Sequence, residues 1–362
     1  MTQASLCAMP LKPKGEDEDL GFDFFVDRPL VDYVNQVKPY HLEIESTSKC
    51  PGSCAYCYSS SLSHSDQVLP TERVLQLIDE AKELGIQLIN WLGGDPLYHP
   101  DWYRMMSYGA EKGLTQGFCT SGLISRRTAQ QIAHLKDCFR LIAVHIDSIV
   151  PETYNRVHFD GSTLEKKVRG YRYLLDAGIP PEQISGIITM TRAAAETVEE
   201  TVDWFVDRMG SQSIVYVMFK GEGFGGENES WEPPVSEMRR ACEYRAKKLG
   251  PHWLRLGTSE VTMFYCRTMF NVNYQGQVLS CPVMRDRIMG NIFEENLKEI
   301  FERNRDSLLF NFQIKGPCAT CQNNDLCFGC RATAYHYLGD VEASDPKCWL
   351  NPESLGEYVL RR

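Results

Sequence analysis

Between about residue 39 and residue 256 the chain alternates strand-like and helix-like segments six times, and this alternation limits the possible folds more than any other feature. The strand candidates are Leu42–Glu45, Leu88–Leu92, Gly117–Thr120, Leu141–Asp147, Ile184–Thr191 and Ile214–Phe219. Amphipathic stretches follow at Glu72–Leu84, Trp102–Lys112, Arg126–Leu135, Leu164–Leu175, Ala195–Arg208 and Val235–Leu249. Gly85, Gly113 and Gly178 stand just past helical runs, where a left-handed residue closes a helix. Six β/α units in a row predict a parallel sheet with helices outside it. Eight units would close a barrel, so six predict an α/β fold built as a partial, open (β/α)6 TIM-like barrel.

The flanks read differently. Residues 1–38 form an irregular lead-in with an acidic run, Lys14–Asp19, and weak helical potential over Leu30–Val37. From residue 257 the alternation stops; cysteines, glycines and turn residues dominate, with one clear helix near Glu294–Arg303. Such a loop-rich segment lacks the periodicity for a core of its own and needs metal to hold it. The expected organisation is 1–38 lead-in, 39–256 barrel and 257–362 metal-stabilised domain.

Hydrophobic residues at 43% and charged residues at 24% describe an ordinary globular protein. A formal charge of −10 argues against nucleic acid or an anionic membrane as partner. No apolar run reaches the roughly eighteen residues of a membrane span, and the N-terminus carries no signal-peptide pattern. A cytoplasmic protein is expected. In that setting the 14 cysteines point to metal rather than disulfides.

Cys50, Cys54 and Cys57 follow the first strand with three and then two residues between them. A tetrahedral zinc site or a four-iron cube normally takes four ligands. Three thiols from one tight loop point to an iron–sulfur cube with one iron open; the alternative is a small zinc loop with a ligand from elsewhere. In a parallel α/β sheet the chemistry gathers at the C-terminal strand ends. There the second strand ends in Gly93-Gly94-Asp95-Pro96, and the third in Cys119-Thr120-Ser121-Gly122. Glycines permit close backbone approach, although a plain strand-to-helix turn would also explain the tetrapeptide. On the fourth strand Ile142, Val144 and Ile146 share one face, leaving Ala143, His145 and Asp147 on the other, toward the lumen. A satisfied core histidine is the plainer alternative for His145.

The cysteine triad, the aromatic Tyr56 before its third thiol and the Gly93–Pro96 strand end together resemble the radical S-adenosylmethionine (radical SAM) superfamily over about residues 40–220. The resemblance implies a [4Fe-4S] cluster on Cys50, Cys54 and Cys57, with S-adenosylmethionine chelating the fourth iron. It places Tyr56 near the adenine, Gly93, Gly94, Asp95 and Pro96 at the ligand's amino group, and Ser121 at its ribose or carboxylate. Met218 would meet adenine, while His145 and Asp147 would line the lumen. Asp95 stands where a Glu is commoner, and His145 where small hydroxyl residues are frequent.

Cys266, Cys281, Cys318, Cys321, Cys327, Cys330 and Cys348 make the second set. A zinc ribbon spaces its two pairs by about fifteen to twenty residues, which the Cys318–Cys321 and Cys327–Cys330 pairs do not. The set is similar to the SPASM extension of radical SAM enzymes, which implies two auxiliary [4Fe-4S] clusters, three clusters in all. By that resemblance Cys318, Cys321, Cys327 and Cys348 ligate one, and Cys266, Cys281 and Cys330 hold the other with an open or non-thiolate fourth position. Cys138 and Cys242 read as small core residues and Cys119 as near the lumen; Cys7 has no partner spacing.

An enzyme is therefore expected that forms a 5′-deoxyadenosyl radical, abstracts hydrogen from a ribosomal peptide or peptide-derived cofactor precursor and oxidises it, its auxiliary clusters handling electrons. Tetrapyrrole side-chain tailoring is the alternative, and a non-catalytic iron–sulfur electron carrier is the alternative of another class. Expected partners are a peptide or small-molecule substrate and a reductant such as flavodoxin or ferredoxin. A lead-in this short leaves room for a separate peptide-delivery protein.

Overall fold

The computed structural model describes residues 28–354, so Cys7 and the acidic run Lys14–Asp19 lie outside the described residues. Six strands occur where the alternation places them: β1 (His41–Glu45), β2 (Leu88–Leu92), β3 (Thr115–Thr120), β4 (Phe139–His145), β5 (Ile184–Met190) and β6 (Ile214–Met218). They pair in parallel and in sequence order, as an open partial barrel with helices outside. Apolar periodicity drives this layering. Leu42 and Ile44 of β1, and Ile142 and Val144 of β4, join the large core under the helices, as does Ile146 just beyond β4. The residues between them face inward, because side chains alternate along a strand.

Helices Thr71–Glu83, Trp102–Glu111, Arg126–His134, Thr163–Asp176 and Val235–Leu249 match the amphipathic stretches. Gly85, Gly113 and Gly178 take positive φ of 83°, 71° and 86° directly after helices, which an alanine would resist. The stretch Ala195–Arg208 is not one helix. Thr197, at φ −121°, separates Arg192–Glu196 from Val198–Asp203, and a wider turn follows over Trp204–Arg208. Its hydroxyl lies 2.8 Å from that of Ser148, and such a side-chain bond competes with helical geometry.

The sheet does not stop with the sixth unit. Beyond residue 257 come three further strands, β7 (Met269–Val272), β8 (Gln277–Leu279) and β9 (Ile288–Asn291). β7 pairs in parallel with β1, and β8 and β9 add antiparallel. The C-terminal segment is thus bonded to the barrel through nine continuous strands. Short strands with little β-branching carry no clear sequence signal; only the turn ending at Gly276 (φ 77°) marks this hairpin. The expected helix near Glu294–Arg303 runs over Leu297–Leu308. No described helix is long and apolar enough to cross a membrane.

Candidate active site

The cysteine loop leaves β1 and is clamped from two sides. The amide of Cys50 donates to the Leu62 carbonyl at 3.0 Å, and that of Ala55 to Val157 at 3.0 Å. Phe159 donates to the Ser53 carbonyl at 2.8 Å, and His158 Nδ1 lies 3.0 Å from the Gly52 carbonyl. A Cβ on Gly52 would sit 3.1 Å from Cys50 Sγ and 3.7 Å from Cys54 Sγ, so the two sulfurs converge over a position kept bare. Cys57 Sγ lies 3.3 Å from Ser59 Oγ. All three thiols are free. Burial pushes Cys50 and Cys57 up. Cys54 feels the same burial, but the charges of His158 and Lys167 hold it well below the usual thiol range. Three soft sulfur donors on one loop, two of them converging over a glycine cradle, suit an iron–sulfur cluster.

Gly93 and Gly94 act on this loop. The Gly94 amide donates to Thr47 at 2.6 Å and the Asp95 amide to Lys49 at 2.8 Å. A Cβ on Gly93 would meet the Thr47 oxygen at 2.5 Å, and one on Gly94 would press on the Lys49 carbonyl, 2.6 Å from its carbon. The close approach that the glycines allow is thus first of all to the backbone leading into Cys50. Among the described residues, no backbone amide outside helices and strands donates to either glycine carbonyl, leaving both for another donor. Asp95 is fully occupied: it accepts from Leu97 N (3.1 Å), Thr120 Oγ1 (2.9 Å), Ser121 N (2.9 Å) and Ser121 Oγ (2.6 Å). Burial still pushes its carboxyl up. Asp95 therefore ties the second strand end to the third, and Pro96 opens the short turn Pro96–Tyr98 that Asp95 caps.

Tyr56, His145 and Asp147 meet, together with a residue not singled out from sequence, His158. Tyr56 OH donates to Asp147 Oδ2, and His145 Nε2 lies 3.2 Å from Tyr56 OH, 2.9 Å from Asp147 Oδ1 and 3.1 Å from Thr189 Oγ1. His158 Nε2 lies 2.7 Å from Asp147 Oδ2, and Thr189 N donates to Asp147 Oδ1 at 2.9 Å. Both oxygens of Asp147 are thereby filled. Burial opposes its ionisation, yet the two imidazoles keep it well below the carboxylate range. Lys167, also not singled out, is fully buried; its Nζ has no hydrogen-bond partner and lies 5.3 Å from the Tyr154 ring centre. A lysine on the apolar stripe Leu164, Gly170, Tyr171, Leu174 is a signal that the helical period could have exposed. No sequence signal marks His158. Met218 ends β6, where its amide donates to Glu260 Oε1 at 3.1 Å.

An apolar patch lies on the inner face of β3–β6, where Leu141, Ala143 and Ile187 pack with Cys119, Val215 and Val217. Cys119 does reach the lumen. On the opposite side β1 contributes Glu43 and Glu45. Arg285 donates to both Glu45 oxygens at 3.0 and 3.1 Å. Tyr265 OH donates to Glu43 Oε1 at 2.8 Å, and burial pushes Glu43 up to about 8. Cys242 is buried as expected, whereas Cys138 is half-buried in a tight turn, Lys136–Cys138, rather than in a helix core.

Cys318, Cys321, Cys327 and Cys348 line one cavity. Glycines again leave the room: a Cβ on Gly257 (φ 55°) would stand 2.5 Å from Cys348 Sγ, and one on Gly329 (φ 74°) 3.1 Å from Cys318 Sγ. Arg331, buried, gathers the loops through Gly329 O (3.1 Å), Val341 O (2.9 Å) and Ala343 O (2.7 Å). Cys266, Cys281 and Cys330 pack around a separate cluster of Met284, Phe310 and Phe328. These thiols too are free.

Residues 44–205 match the family model of the radical SAM superfamily, and residues 264–331 that of the SPASM iron–sulfur cluster-binding domain. An AdoMet-dependent heme synthase of Methanosarcina barkeri is 24% identical over 340 residues, covering 85% of this chain and 95% of the relative. A PqqA peptide cyclase of Bradyrhizobium diazoefficiens is 22% identical, covering 90% and 89%. In fold the chain resembles Streptococcus suis SuiB bound to precursor peptide SuiA, with a TM-score of 0.66, 16% identity and coverage of 89% and 79%. It also resembles anSMEcpe with bound AdoMet, with a TM-score of 0.64, 16% identity and coverage of 85% and 94%. The chain belongs to the radical SAM superfamily, as an enzyme of S-adenosylmethionine and [4Fe-4S] clusters with a C-terminal SPASM domain.

Proposed function

We propose that this enzyme oxidatively modifies a peptide or peptide-derived cofactor precursor. Cys50, Cys54 and Cys57 would hold the cluster that binds S-adenosylmethionine. Cys318, Cys321, Cys327 and Cys348 would hold one auxiliary cluster, and Cys266, Cys281 and Cys330 the other. When bound, the first cluster and S-adenosylmethionine supply a 5′-deoxyadenosyl radical that takes a hydrogen atom from substrate.

The chain's own residues position the ligand. The Gly93 and Gly94 carbonyls face its amino group. Ser121, fixed by Asp95, and the buried cation of Lys167 suit its carboxylate and ribose. Tyr56 and His145, oriented by Asp147, border the adenine with Met218. Asp95, Pro96 and Asp147 shape the site through these neighbours. The apolar patch on β3–β6 is aliphatic apart from the Cys119 thiol, whose S–H bond is its weakest toward a radical, and such packing excludes water.

The observation that carries the substrate choice is the charge of the lumen. Haem-type precursors bear several carboxylates, and beside Glu43, which burial keeps protonated up to about pH 8, and Glu45, which is paired with Arg285, a carboxylate meets no free cation. The nearby cations are committed, Arg285 to Glu45 and Lys220 to Glu260, the latter at 2.9 Å. A peptide imposes no such charge. A flavodoxin- or ferredoxin-type reductant and a separate peptide-delivery protein are the partners this chemistry calls for.

Anaerobic reconstitution, reduction and addition of S-adenosylmethionine should yield 5′-deoxyadenosine, absent from a Cys50/Cys54/Cys57→Ala variant. Deuterium transfer into 5′-deoxyadenosine from labelled peptides, and none from labelled coproporphyrin, is the expected outcome. Transfer from the porphyrin alone would overturn the peptide reading.

A further inference from the structure

One row of the sheet crosses the lumen at a single level: Asn271 of β7, Glu43 of β1, Asn90 of β2 and Gly117 of β3 are successive register partners. Leu42, Ile44, Phe270 and Val272, their chain neighbours, all belong to the core beneath the helices. Strand alternation therefore turns Asn271 and Glu43 to the lumen side, about 5 Å apart at their backbones. Asn90 donates to the oxygen of Tyr265, which donates to Glu43 Oε1, so that half of the row is satisfied. The other half is not. Glu43 Oε2 and both amide atoms of Asn271 are buried without a hydrogen-bond partner, in residues 6% and 0% exposed.

Three orphaned polar atoms side by side are costly, since each has lost its hydration and gained no partner. Buried polar groups are otherwise nearly always paired, and their clustering on one lumen row points to a ligand. Two of the atoms, Glu43 Oε2 and Asn271 Oδ1, accept hydrogen bonds, and one, Asn271 Nδ2, donates. A nitrogen bearing N–H groups complements the two acceptors. A neighbouring carbonyl would also satisfy the donor. A carboxylate, which brings acceptors alone, would leave Asn271 Oδ1 unsatisfied.

We propose that Glu43 and Asn271 form a substrate-recognition subsite for an N–H-bearing group, an amide or an ammonium, inside the lumen. The apolar wall of Leu141, Ala143 and Ile187 faces the rest of that substrate. The subsite deepens the peptide reading above and rests on it only for the origin of the nitrogen. Glu43 acts here in recognition and positioning, with no role assigned in the radical step.

The test uses the reconstituted full chain with S-adenosylmethionine and four fragments: butyramide, n-butylamine, methyl butyrate and butyrate. Binding is followed by ligand-observed NMR, and variants are checked for iron content and circular dichroism. Butyramide should bind at least tenfold tighter than methyl butyrate, its near-isostere without N–H donors. n-Butylamine should bind at least tenfold tighter than butyrate. Glu43→Gln should lower the affinity for n-butylamine at least tenfold while butyramide changes less than threefold. Asn271→Leu should lower that for butyramide at least tenfold. Equal binding of all four fragments, or a preference that survives both substitutions, overturns the subsite and leaves enclosed water as the partner of the row. Should no peptide transfer deuterium while these preferences hold, the peptide reading fails and the subsite stands.

Discussion

Replacing Gly94 by alanine adds one methyl group at the joint between the second strand end and the cysteine loop. That Cβ would lie 2.6 Å from the Lys49 carbonyl carbon and 2.7 Å from the Ser48 carbon, both backbone atoms that cannot rotate away. Ordinary contact begins near 3.4 Å, so the two segments must part by about 1 Å. The separation breaks two short backbone bonds, Gly94 N to Thr47 O at 2.6 Å and Asp95 N to Lys49 O at 2.8 Å. Leaving such groups unpaired costs about 1–3 kcal/mol each, and the forced overpacking adds about as much. Even about 2 kcal/mol shifts the loop equilibrium roughly 30-fold, on the three residues that lead into Cys50. Gly94 does not have positive φ, so the effect is steric rather than conformational. Iron content after anaerobic reconstitution should fall from about twelve to about eight per chain, the loss of one cube of three. 5′-Deoxyadenosine formation should drop at least 30-fold. Gly85→Ala is the control: nothing lies within 4 Å of its Cβ, so only the strain of φ 83° is added, about 1 kcal/mol, and iron should stay at about twelve. Full iron content in Gly94→Ala, with turnover within threefold of wild type, would refute the claim that this contact holds the loop.

Four further predictions can be checked on the same preparations. Gly257→Ala places a Cβ 2.5 Å from Cys348 Sγ; iron should fall to about eight while cleavage of S-adenosylmethionine persists, the reverse of the Gly94 result. Lys167→Met removes a cation that burial disfavours but the charge of Cys54 holds in place, so the dissociation constant for S-adenosylmethionine should increase at least tenfold. Asp95→Ala leaves four donors on Leu97, Thr120 and Ser121 without their acceptor; a loss of roughly 3 kcal/mol or more should appear in denaturant unfolding. Glu43 is pushed up to about 8 by burial, so between its ordinary value and about 8 the folded state holds a proton that the unfolded chain releases. That difference lowers wild-type stability as pH rises, by at most about 1.4 kcal/mol per pH unit. The melting-temperature gain of Glu43→Gln over wild type should therefore grow from pH 5 to pH 8, and a gain independent of pH would show that Glu43 ionises freely in the folded protein.

Local patterns made much of the architecture readable. The six inner strands, their helices and the glycines at helix ends follow from apolar alternation and turn chemistry, which act over a few residues. Both cysteine sets were equally visible, because metal ligands announce themselves by spacing. β7–β9 were not, since strands of three or four residues draw their stability from β1 rather than from their own composition.

What the sequence by itself determined is therefore the fold class, the family and the thiols. Only the tertiary structure decided what the intervening residues do. Asp95 and Gly94 stood out as ligand contacts, yet they first bind the chain to itself, because Thr47, Lys49 and Ser121 arrive there from other strand ends. His158 and Lys167 carry no motif; they become part of the site because a loop and a helix bring an imidazole and an ammonium to Cys54. The Asn271–Glu43 row exists only where β7, from the far side of the chain, lies down beside β1. Pairing of strands distant in sequence is a long-range event, and no local pattern encodes which side chains it will bring together.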